Sequence, residues 1–114
     1  MKTFPLNLQS DEWYALEVFG AGDARRHPHC TPILLRTVRR PAADRNTLIL
    51  SYLEANDPHG AEEKTCRVHV LQHTSSHVAA QGPDGQLLVI FPLEDAWLQT
   101  HFPGVDRLMH VISA

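Results

Sequence analysis

At 114 residues, 43% hydrophobic and 20% charged, the chain has the size and balance of one folded domain, with no low-complexity tract or long like-charge block to suggest disorder. A net charge of −3 and a pI near 6.2 set it apart from strongly basic domains that bind nucleic acid through bulk charge. Its apolar runs, such as Leu87 to Phe91, fall far short of the ~20 residues a membrane helix needs, and two cysteines are too few to staple a small domain.

The first segment alternates Phe4, Leu6 and Leu8 with Thr3, Pro5 and Asn7, the period of a strand, and Pro5 marks it as an edge. Its polar residues Asn7, Gln9 and Ser10 interrupt the apolar core that an export signal needs, so a cytoplasmic protein with free thiols is expected. After the turn at Gln9-Ser10-Asp11, Trp13 to Phe19 sets Tyr14, Leu16 and Val18 against Trp13, Ala15, Glu17 and Phe19, and an opening hairpin is expected from these two segments.

Gly20 to Thr31 mixes Gly20, Gly22, Asp23 and Pro28 with charges and reads as a loop. Ile33 to Arg39 and Thr47 to Glu54 are rich in β-branched and aliphatic residues and form a second expected hairpin. Beyond the break at Asn56 to Gly60, Cys66, Val68 and Val70 alternate with Arg67, His69 and Leu71. His77 to Gln81 and Gln86 to Phe91 flank Gly82-Pro83-Asp84-Gly85, a strong hairpin signal.

Pro92 suits a first helical position, and Leu93, Ala96, Trp97 and His101 recur at helical spacing, so a helix is expected from Leu93 to His101. Val105, Leu108, Met109 and Ile112 fit a second helix and a closing strand equally. The pattern predicts a single α+β domain over 1–114: β-rich, with antiparallel hairpins forming a curved sheet or an incomplete barrel or sandwich, and one or two C-terminal helices.

Three of the eight histidines, His69, His73 and His77, step by four, a spacing that grips one metal ion on a helix. Their surroundings read as strand, where residues four apart stand about 13 Å from each other, too far to share an ion. His27, His29 and Cys30 form the better local metal set, since residues two apart on an extended segment face the same way. Zinc is the ion they would take, but a fourth ligand would have to arrive by folding, and the favoured expectation is no cofactor. Cys30, with Arg25 and Arg26 close in sequence, is also the candidate for thiol chemistry, although no nucleophile signature surrounds it.

Six arginines lie between residues 25 and 45 against Asp44 alone, which gives that window +5 and leaves −8 for the rest of the chain. Arg36, Arg39, Arg40 and Arg45, on the second hairpin and its turn, are the candidate binding residues.

The stretches MKTFPLNLQ, EWYALEVFG and FPLEDAWL resemble a small family of uncharacterised proteins from Burkholderia-type bacteria, over nearly the whole chain. The resemblance implies bacterial origin and carries no activity and no site residue. The leading reading is a non-catalytic cytoplasmic binding or regulatory module with a protein partner. The alternatives are a metal- or thiol-dependent enzyme at His27, His29 and Cys30, and a nucleic-acid-binding protein using the arginine-rich region.

Overall fold

The computed structural model describes residues 7–20, 29–41, 46–55 and 62–102. They form six strands and one helix: β1 (Glu12–Phe19), β2 (His29–Arg39), β3 (Thr47–Glu54), β4 (Lys64–His73), β5 (Val78–Gln81), β6 (Leu87–Pro92) and α1 (Asp95–His101). Each strand pairs antiparallel with the next, and β6 returns to β1 through a ladder from Tyr14↔Pro92 to Phe19↔Leu87. The sheet is therefore a closed barrel, a correction to the expected curved sheet or incomplete barrel. Closure satisfies the backbone groups that two open edges would leave exposed.

The two-residue period builds the interior. Tyr14 and Leu16 from β1 meet Ile33 and Leu35 from β2, Leu48 and Leu50 from β3, Val68 from β4, Ala80 from β5, and Leu88 and Ile90 from β6, all buried in one cluster. Six strands enclose a space that side chains alone fill.

Two bulges break the period. One falls in β2 between Leu35 and Thr37, the other in β4 between Val70 and Gln72. Each extra residue, Arg36 or Leu71, reverses which face the following residues occupy. Val38 accordingly packs against the core rather than facing out.

The hairpins β2–β3 and β5–β6 follow the sequence expectation. In the latter, Gly82 N–H donates to the Gln86 carbonyl (2.8 Å), and Gly85 adopts φ +80, which suits glycine. β1 pairs with β2 on one side and β6 on the other, and the Phe4 to Leu6 part of the expected opening hairpin is not among the described residues. Residues 1–6 lie outside the described residues, as does the 105–112 segment.

The helix begins two residues later than expected, because Pro92 is held extended as the last residue of β6 by pairing with Tyr14. It covers the outer wall, where Leu98 and Ala55 are buried with Trp13, Leu93, Trp97 and Phe102 packed around them. Phe91 and Trp97 meet edge to face at 5.8 Å.

Candidate functional site

The three evenly spaced histidines do not converge. His69 lies exposed in β4 opposite Thr47, and His73 ends β4 opposite Val78. His77 sits in the β4–β5 turn, where Nδ1 lies 3.1 Å from both Thr74 Oγ1 and Ser76 Oγ, and Nε2 lies 3.1 Å from Gln72 Oε1. Those contacts make it a turn fastener. The Leu71 bulge turns His73 from the face of His69 toward the barrel end, so even the shared parity of the two is lost.

Among the described residues no three His, Cys, Asp or Glu side chains gather as a metal site would. His27 and the side chain of His29 lie outside the described residues, so the His27, His29 and Cys30 candidate is located only through Cys30. That cysteine pairs with Glu17 across β1 and β2. Burial, with the Glu17 carboxylate beside it, pushes the Cys30 thiol up, opposite to the direction a thiolate nucleophile requires. Cys66 packs against the barrel core, and burial together with Asp84 pushes its thiol up as well. Neither Cys30 nor Cys66 is in a disulfide.

The arginine candidates separate. Arg36, the bulge residue, donates from Nη1 to Asp11 Oδ1 at 2.8 Å, which neutralises it locally. Arg45 lies outside the described residues. Arg39 is exposed at the end of β2, and its register with Ile49, together with the register of Ile49 with Arg67, carries the row onto β4. Two strand spacings place the Arg39 and Arg67 backbones about 10 Å apart on the outer wall.

The adjoining row runs Thr47, His69, Gln81, and a shallow depression of about 250 Å³ lies among Thr47, Arg67, His69, Gln81 and Pro83. On the other side lie Thr37, Ser51 and Thr65, with Ser51 Oγ donating to Glu63 Oε1. Among the described residues no carboxylate lies within ion-pair distance of Arg39 or Arg67. Sequence reasoning missed Arg67 because it lies far along the chain from the arginine-rich window; only strand register reveals the neighbourhood.

Arg40 belongs to a different place. With Asn7, Leu8, Val38, Leu48 and His73 it lines a cavity of about 340 Å³ at one end of the barrel. Leu8 folds over this end, preceding a turn in which Asp11 adopts φ 65 and its N–H donates to the Leu35 carbonyl at 2.6 Å. Both bulges contribute, since Val38 and His73 reach the mouth only because the phase of β2 and β4 has been reversed.

The opposite end is filled. Beyond Leu50, which stands opposite Cys66 of β4, the inward positions of β3 are Tyr52, opposite Lys64, and Glu54, opposite Ile33 of β2. Lys64 Nζ meets Glu54 Oε2 at 2.7 Å. Burial, then Cys66 and Glu54, push the Tyr52 phenol up to about 12. This end holds its polar groups against one another.

Fold and surface together define a small six-stranded up-and-down barrel with one plugged end, one open mouth and a cationic stretch of outer wall. Comparisons with protein-family models, curated proteins and solved structures give no match for this chain, and its function is argued from these surfaces.

Proposed function

We propose that this chain is a non-catalytic binding or regulatory module of the bacterial cytoplasm that contacts an acidic protein surface through the outer wall of β2, β3 and β4. The observation that carries the reading is the register that sets exposed Arg39 and Arg67 on either side of Ile49, next to His69. Guanidinium groups with an aliphatic residue between them suit a protein contact, because arginine forms planar bidentate pairs with carboxylates. A partly exposed Ile49 adds apolar area to that contact.

Burial of Cys30, with Glu17 beside it, opposes thiolate formation and weighs against an enzyme centred there. No helix among the described residues is long and apolar enough to cross a membrane.

The reading is tested by titrating the protein and its Arg39→Glu/Arg67→Glu variant with a hexaglutamate peptide and with a short single-stranded oligonucleotide. The expected result is saturable peptide binding that the variant abolishes. Tighter oligonucleotide binding that falls steeply with salt would replace the protein partner with nucleic acid.

A further inference from the structure

The mouth cavity combines features that a purely structural barrel end has no use for. Its floor is aliphatic, made by Leu8, Val38 and Leu48, and Leu48 is only 1% exposed. Arg40, Asn7 and His73 supply its polar lining. Among the described residues none of those lining the cavity is acidic, and no carboxylate lies within ion-pair distance of Arg40. At about 340 Å³ the volume lies near the lower end of the range that small ligands occupy.

We propose that this mouth binds a small organic carboxylate with an apolar tail. The head would meet Arg40 in the planar two-bond geometry that guanidinium offers carboxylates, flanked by Asn7 and His73. The tail would lie on Leu8, Val38 and Leu48, and its transfer from water supplies the hydrophobic part of the affinity.

The composition of the lining selects the carboxylate over a phosphate. Phosphate sites draw on several cations, a glycine-rich turn or the start of a helix, and among the described residues this cavity has one guanidinium and none of the other devices. The two bulges support the assignment, because they bring Val38 and His73 to the mouth. This site is separate from the outer-wall contact and stands or falls without it.

Isothermal titration of the purified protein with hexanoate, hexanamide and inorganic phosphate tests the proposal. Hexanoate is expected to bind one to one and about tenfold or more tighter than hexanamide, the ratio a charge-assisted contact gives. Arg40→Gln should remove that preference while leaving hexanamide binding and the melting curve unchanged. Arg39→Gln/Arg67→Gln should leave hexanoate binding intact, so that failure of the outer-wall reading and failure of this one are told apart. Equal affinity for hexanoate and hexanamide, tighter binding of phosphate, or no saturable hexanoate binding at millimolar concentration would each overturn it. If Arg40→Gln melts early, the wild-type comparison of acid with amide decides alone.

Discussion

The two ends of this barrel share one wall and treat their polar groups in opposite ways. At the plugged end, Lys64 meets Glu54 at 2.7 Å and Tyr52 lies against Cys66 within the interior. At the mouth, Arg40 lines a cavity with Leu8, Val38 and Leu48, and no acidic residue is among the described lining residues. The difference lies in charge placement: at one end the polar groups meet each other, and at the other, among the described residues, the Arg40 guanidinium has no carboxylate within ion-pair distance, which is the contrast the proposed ligand site rests on.

The largest effect should come from the wall common to both ends. Leu50→Ala removes a side chain at the middle of the core and should cost about 2–5 kcal/mol, read from urea denaturation. A loss much below that range would mean that the core does not unite the two ends.

A second effect distinguishes the plugged end. In the folded state the Tyr52 phenol is pushed up to about 12 from its ordinary value of 10.0, chiefly by burial, so the folded state retains the phenolic proton more strongly. Its contribution is fully present below pH 10 and is lost as pH rises toward 12. Tyr52→Phe should flatten this part of the stability profile, and an unchanged alkaline slope would remove the phenol from the account.

Smaller still is the ion pair. Lys64 is 41% exposed, so a double-mutant cycle with Glu54→Gln and Lys64→Met should give a coupling of about 1 kcal/mol or less. Smallest is the outer wall, where Arg39→Gln/Arg67→Gln should alter stability by no more than about 0.5 kcal/mol while weakening hexaglutamate binding. A large loss of stability there would show that the arginines serve the fold.

Much of the barrel was legible because the period of two is strong. Tyr14, Leu16 and Val18 were set on one side of their strand, as were Cys66, Val68 and Val70, and these sets face or pack against the core. Gly82 to Gly85 announced its hairpin through turn chemistry. Closure was not legible, since the β1–β6 ladder joins distant segments and no local pattern encodes it.

The candidate sites were less legible for a related reason. A bulge inserts one residue without a sequence mark, so the reversal of phase after Arg36 and after Leu71 was hidden, and with it the placement of Val38 and His73 at the mouth. The arginine window grouped residues by chain proximity. Arg36 is taken by Asp11, Arg40 lines the mouth, and Arg39 finds its neighbour in Arg67 across β3.

Amide chemical-shift mapping during a hexaglutamate titration tests the binding-wall account most directly. The account predicts saturable changes centred on Arg39, Ile49, Arg67 and His69, with Tyr52, Glu54 and Lys64 silent. Changes centred on the plugged end, or a spectrum indifferent to the peptide at millimolar concentration, would contradict it.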